Sequence, residues 1–333
     1  MHRTRLGTAA VAAMAGIALV AGCSSAGSDS ATGSDPASGR AESAAQSSAE
    51  GSGQEDSGSG DDAAAALPSI SGEYGQAPEF DFGQSQAPEG LQVEVLSEGD
   101  GPEVQQGVPV LADYAGVVWG QTEPFDSSFS RGAPALFSLQ NVVEGWSKGI
   151  PEHKVGSRLL ISIPPEMGYG SEGNSQAGIG GEDTIVFVVD IVDTYNRDRT
   201  GQADAKVLTP SKELPVEVGG ELGQPASVTV PDDAEAPEEV TTTVIAEGSG
   251  ETVAAGDTVA AAYAMSSWDG STSQTTWSAG EETGSGPIAA PVGQGSILDA
   301  LIDVPVGSRV LVLVPKTQQA PPAAFVIDIL AKA

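Results

Sequence analysis

Hydrophobic residues along this chain come in short runs, and most of the runs have the spacing of strands. Over Leu91-Gln92-Val93-Glu94-Val95-Leu96 apolar and polar residues alternate for most of the length, the period of a half-buried strand, and a Gly-rich turn follows. Val108 to Val118, Arg158 to Ile163 and Thr184 to Val192 are further runs of strand length, the last two rich in Val and Ile. One stretch departs from this. From Gln140 to Ile150, the residues Val142, Val143, Trp146 and Ile150 recur at helical spacing, so a short amphipathic helix is expected, ended by Gly149 and Pro151. Such a helix cannot bury its own apolar face. Set among strands with hairpin-type connections, it predicts an α+β fold in which an antiparallel sheet wraps around one helix. The Gly-rich segment from Met167 to Gly181 is too polar for a core and reads as a long loop.

The pattern then recurs. Leu67-Pro68-Ser69-Ile70-Ser71-Gly72-Glu73 returns near Leu214-Pro215-Val216-Glu217-Val218-Gly219-Gly220, and Val95-Leu96-Ser97-Glu98-Gly99 returns as Val244-Ile245-Ala246-Glu247-Gly248. Val110 to Tyr114 matches Val259 to Tyr263, Val155-Gly156-Ser157-Arg158 matches Val306-Gly307-Ser308-Arg309, and Phe187 to Ile191 matches Phe325 to Ile329. Matches in one order imply two homologous domains, 67–195 and 214–333, joined by the polar stretch 196–213.

The amino terminus carries an address. His2, Arg3 and Arg5 precede an apolar run from Leu6 to Ala21, too short and too rich in Ala and Gly for a good membrane span, as in a secretory leader over 1–22. Val20-Ala21-Gly22-Cys23 resembles the bacterial lipobox, which implies lipid attachment at Cys23 and a chain anchored to the outer face of the cell membrane. From 23 to 66 the chain is Ser, Gly, Ala, Asp and Glu with no aromatic residue, a disordered spacer.

Composition removes several function classes. The chain has 333 residues, with 46 Asp and Glu against 14 Lys and Arg, a net charge of −32 that argues against a nucleic-acid partner. With two histidines and one cysteine, neither a zinc site nor a Cys–His nucleophile has ligands to draw on, and no metal or cofactor is expected. Gly168 to Gly181 lacks the Gly-Lys-Ser/Thr ending of a phosphate loop, and the acid pairs Asp232-Asp233 and Glu281-Glu282 read as solvated loops.

The first repeat holds further motifs: Asp113-Tyr114-Ala115-Gly116, Pro124-Phe125-Asp126-Ser127-Ser128, Val142-Val143-Glu144-Gly145-Trp146, Pro164-Pro165-Glu166-Met167-Gly168-Tyr169-Gly170 and Thr184-Ile185-Val186-Phe187. In this order they resemble the FKBP-type peptidyl-prolyl cis–trans isomerases, over a core from Leu91 to Asp193. Leader, lipobox, spacer and duplicated domain together resemble secreted bacterial lipoproteins of that family. The resemblance implies a bent sheet around one helix and a hydrophobic pocket between them. Trp146 would be the floor, and Tyr114, Phe137 and Phe187 the aromatic walls. Phe125, Val142 and Val143 would line the side, Asp126 and Tyr169 would supply polar groups at the rim, and Ile179 would sit near the tip of the long loop. Trp146, Phe187, Asp126 and Tyr169 carry catalysis in this scheme, the others substrate binding. Taken singly, a tryptophan on a core helix is usually packing, Phe187 can be strand core, and Asp126-Ser127-Ser128 can be a turn or cap.

The implied partners are proline-containing unfolded or secreted polypeptides, with macrolides as further ligands. Ala135 and Asn174 depart from residues common in the family, which bears on macrolide fit and flanking-residue preference. In the second repeat Tyr263 keeps the place of Tyr114, but Leu301 falls on Trp146, polar residues near Gln274 fall on the Phe-Asp pair, and no tyrosine loop remains. That copy is expected to keep the fold, with a reduced helix, and to lose the site. It could bind unfolded chains, dock against the first domain or extend it. The alternative function is a non-catalytic holdase or peptide-binding lipoprotein, which would suppress aggregation without accelerating isomerisation.

Overall fold

The computed structural model describes residues 66–278 and 284–333. The leader, Cys23, almost all of the spacer and the pair Glu281-Glu282 lie outside them. The first sheet has six strands: β3 (Gln92–Ser97), β4 (Pro109–Val118), β5 (Asp126–Ser127), β6 (Ala135–Ser138), β7 (Arg158–Ile163) and β8 (Ile185–Thr194). Their order is β3-β7-β8-β4-β5, with β6 also on β4 and every pair antiparallel. A separate hairpin, β1 (Ser69–Ser71) and β2 (Glu79–Asp81), precedes it. Two short helices interrupt it, α1 (Ser128–Arg131) and α2 (Glu144–Gly149).

The continuous apolar run of β8 is explained by burial on both faces. Ile185, Phe187, Val189 and Ile191 point into one cluster with Trp146 and Ile150 of the helical segment. Val186 and Val188 point to the other face, where Phe80, Ile70 and Phe82 of the hairpin region cover them. Helix α2 lies close on β7, since a Cβ at Gly145 would come within 2.5 Å of the Ile163 side chain.

The helix is shorter than its apolar pattern suggests. Val143 has ψ 148, so it is an extended N-cap residue whose carbonyl accepts from Trp146 and Ser147, and helical backbone begins at Glu144. Val142 and Val143 therefore reach the core from the connection, a role suited to stiff β-branched residues.

The connection 196–213 is also more ordered than its polarity implies. Lys206–Val207 forms β9, and a hairpin of β10 (Glu217–Gly219) and β11 (Ser227–Thr229) follows. The second sheet comprises β12 (Thr241–Glu247), β13 (Thr258–Ser267), β14 (Ser273–Thr275), β15 (Ile288–Pro291), β16 (Arg309–Val314) and β17 (Ala323–Lys332), and β9 pairs with β12 at its edge. Its order, β14-β13-β17-β16-β12, with β15 also on β13, is the order of the first sheet. A 3-10 turn at Ile297–Leu301 occupies the chain position of α2.

The two sheets share a buried device. Arg158 pairs with Asp190 through Nε at 2.7 Å and Nη2 at 3.1 Å, and donates to the carbonyls of Gly72, Glu73 and Gln76 in the β1–β2 turn. Arg309 pairs with Asp328 through Nε at 2.7 Å and Nη2 at 2.9 Å, and donates to Gly220, Glu221 and Gln224 in the β10–β11 turn. A guanidinium has five donors, and each of these two engages all of them.

Candidate functional site

The aromatic residues marked in the sequence converge on one end of the first sheet. Trp146 is the hub. Its ring lies 5.0 Å from Phe137, 5.2 Å from Phe187 and 5.5 Å from Tyr114, all edge-on with interplanar angles of 73°, 80° and 88°. Phe125 meets Phe187 edge-on at 5.7 Å. Edge-to-face pairs place positive ring edges on negative faces and fix the cluster beyond its area burial. Val142, Val143 and Ile179 join the same cluster.

Exposure grades outward from Trp146. Trp146, Phe187, Tyr114 and Ile179 retain 3%, 5%, 4% and 4% of their surface, Phe125, Phe137, Val142 and Val143 are part-buried, and Asp126 and Tyr169 are exposed. Ile179 stands beside the tip of the long loop, directly after the turn 175–178. A bridge between Asn174 and Ile179 folds the loop back, and the side chain enters the core. The indole N–H of Trp146 is buried without a protein acceptor, so the centre of the cluster keeps one unused donor in an apolar setting.

A polar network braces the rim. The Tyr114 hydroxyl donates to one Asp126 oxygen; Arg131 donates to the other through Nη1 at 2.5 Å and to the Tyr114 hydroxyl through Nη2 at 2.8 Å. The guanidinium also lies 5.4 Å from the centre of the Tyr114 ring. Burial, then the bond to Asp126, pushes the Tyr114 hydroxyl up to about 12. Burial alone would raise Asp126, but the donors Tyr114 and Arg131 outweigh it and hold its carboxyl below the usual range. Asp126 is thus an ionised, hydrogen-bonded anchor. The Asp126-Ser127-Ser128 segment resolves accordingly: the first two residues form β5, and Ser128 Oγ accepts from the Tyr114 N–H at 2.8 Å and donates to Asp113 at 2.8 Å.

Two members of the site are not apparent from the sequence pattern. Arg131 had a signal, being the only Lys or Arg between Arg40 and Lys148. Gly116 had none beyond its motif. It lies opposite Phe187 across β4 and β8, and a Cβ there would sit 2.4 Å from the Phe187 ring and 2.8 Å from Phe125.

The register shows what the second sheet has in each place. Met265 faces Phe325 as Gly116 faces Phe187, and Gln274 pairs with Met265 as Asp126 pairs with Gly116, which puts Ser273 where Phe125 stands. Ala290 opposes Val259 as Phe137 opposes Val110. Of the ring set only Tyr263 and Phe325 remain, 5.9 Å apart. Thr276 contacts the Tyr263 backbone as Ser128 contacts that of Tyr114.

Comparison with known proteins agrees on the first sheet. The family model for FKBP-type peptidyl-prolyl cis-trans isomerase matches residues 101–192. A FK506-binding protein of Streptomyces anulatus is 38% identical over 119 residues, covering 35% of this chain and 96% of that protein. A probable FK506-binding protein of Corynebacterium glutamicum is 38% identical over 117 residues, covering 35% and 98%. The crystal structure of FkpA from Escherichia coli superposes with 34% identity over 32% of this chain and 48% of that one, at a TM-score of 0.30. With the family model lying over the residues that hold the aromatic cluster, and with nearly the whole length of two such relatives covered, this chain belongs to the FKBP-type peptidyl-prolyl cis–trans isomerase family.

Proposed function

We propose that the Trp146 cluster is the isomerase site, acting on Xaa-Pro bonds of secreted proteins at the outer face of the cell membrane, where Cys23 carries the lipid anchor. The observation that carries this reading is the convergence of Tyr114, Phe137 and Phe187 on one buried indole beside a single ionised rim network. Rotation about the bond crosses a barrier of ~18–20 kcal/mol because the amide loses resonance as it twists. No bond breaks, so the catalyst needs only to bind the twisted amide better than the planar one. An aromatic cup grips the proline ring and strips water from the amide, whose charge-separated planar form water favours. A barrier lowered by ~7 kcal/mol gives about 10⁵-fold in rate. Tyr169, at the exposed rim, donates its hydroxyl to a substrate carbonyl, and Asp126 fixes the Tyr114 wall. Macrolides would enter the same cup.

The second sheet, in this reading, is an FKBP-like domain that kept strand order and the buried arginine and lost the cup. Its Gln274, Ser273 and Ala290 stand where Asp126, Phe125 and Phe137 stand in the first sheet. Leu301, matched to Trp146 in the sequence, instead takes the place of Ile150: the Val304 N–H donates to its carbonyl as the His153 N–H donates to that of Ile150, which leaves Ile297 at the place of Trp146. The test is Xaa-Pro exchange by NMR with the whole chain and its variants. Trp146→Ala should lower kcat/KM by about 100-fold or more, equivalent to ~2.7 kcal/mol, and Asp126→Ala by about tenfold. Unchanged rates in both variants would place the site elsewhere.

A further inference from the structure

Strand β6 is a weak part of the cup. It has four residues and one ladder, to β4, yet it carries Phe137, whose ring meets both Tyr114 and Trp146. Side chains alternate along a strand, so Leu136 faces away from the cup. That face is not open. Leu136 is 7% exposed and shares an apolar cluster with Tyr195 of the first sheet region and Ala260 and Ala331 of the second sheet, flanked by Leu111, Ala289 and Leu330.

The cluster has an internal logic. Leu111 pairs with Leu136 in the first sheet, and Ala260 pairs with Ala289 at the equivalent register positions of the second. The same face of each repeat is therefore turned toward the other, as in a two-fold dimer interface, but with leucines on one side and alanines on the other. Polar contacts close the margin. Arg197 donates to the Gly284 carbonyl at 2.9 Å and the Gln106 carbonyl at 3.0 Å, and the Trp277 indole donates to the Arg199 carbonyl at 2.7 Å.

We propose that the second sheet braces the isomerase cup: by seating Leu111 and Leu136 against its alanine face it holds β6, and with it the Phe137 wall, in place. Leu136 and Ala289 are then positioning residues, acting on substrate through Phe137. The inference rests on the cup being the site. Phe137 contacts the proline ring in planar and twisted forms alike, so its loosening removes uniform binding and raises KM while kcat holds.

The experiment is a double-mutant cycle in the full chain, with kcat and KM read on one Xaa-Pro peptide alongside thermal unfolding and a Trp146→Ala control. Leu136→Ala empties the seat and Ala289→Leu overfills it. Each should raise KM about fivefold or more with little change in kcat, and the double variant should return KM to within about twofold of the parent, a coupling typical of touching residues. Arg197→Ala, which opens the margin without touching the apolar seat, should raise KM in the same direction. Singles that lower the melting temperature but leave KM at the parent value would overturn the brace, as would strictly additive effects in the double variant. If the Leu136 or Ala289 variants do not fold, Arg197→Ala decides by itself: a raised KM supports the brace and an unchanged KM refutes it. A Trp146→Ala protein with full activity would instead sink the cup assignment itself.

Discussion

Gly116→Ala adds one methyl beneath two rings of the cup. That methyl would lie 2.4 Å from Cε1 of Phe187 and 2.8 Å from Cζ of Phe125, with no strained backbone angle to confuse the outcome. Carbon atoms rest at ~3.5–4.0 Å, so Phe187 must retreat by about 1 Å. The ring has little room, with the Trp146 centroid 5.2 Å away on one side and Phe125 at 5.7 Å on another. Overpacking of this kind costs ~1–3 kcal/mol. Alanine returns ~0.4–1 kcal/mol by restricting the unfolded chain, so the net loss is about 1–2 kcal/mol. Displacement of a wall ring should also lower kcat/KM by about tenfold, the equivalent of ~1.4 kcal/mol. Urea unfolding reads the first quantity and NMR exchange of an Xaa-Pro peptide the second. Met265→Gly, at the matching place in the second sheet, should leave kcat/KM unchanged. A Gly116→Ala protein as stable as the parent and fully active would refute the claim that this glycine makes room for the cup.

Other outcomes follow from the rim and the buried arginines. Asp126 is depressed, so its contribution is complete above its unfolded value near 3.8 and is lost as pH falls through the lower folded value. Tyr114 is raised from 10.0 to about 12, so its contribution is complete below 10.0 and is lost as pH rises through about 12. Melting temperature followed across pH should show no step from either group between about pH 5 and 9. Arg131→Met removes one of the two donors that hold Asp126 down. Its acid limb should move to higher pH, with a small stability change of ~0–1 kcal/mol at neutral pH because the pair is half exposed. Arg158→Met strands Asp190 and the hairpin carbonyls in a site where both partners are buried, and should cost ~3–5 kcal/mol by denaturant unfolding.

Much of this molecule was legible because its information is local. Arg158–Ile163 is a strand over the residues its composition marks, and β4 and β8 begin within a residue of their apolar runs. The rings around Trp146 could be named because their motifs stand in one order along the chain. What the sequence hid depends on partners far along it. Helix α2 starts late because Val142 and Val143 find core contacts without helical backbone. Lys206 and Val207 look like linker, yet β12 offers them a free edge to pair with. Leu136 stands between Ala135 and Phe137, which pack on the Trp146 cluster, and its own burial depends on Tyr195 and on Ala260 and Ala331 of the second sheet, all distant in sequence. Arg131 is a surface arginine until Asp126 and Tyr114 are brought beside it.

The caged arginines bear on where this protein can be cut. The family match begins at residue 101, while the carbonyls that saturate Arg158 belong to Gly72, Glu73 and Gln76. A fragment trimmed to the matched segment would leave a cation with two of its five donor directions answered only by Asp190 and the rest bare. A fragment holding the first sheet should therefore start upstream of Ser69 to keep this cage, and one holding the second sheet ahead of Glu217.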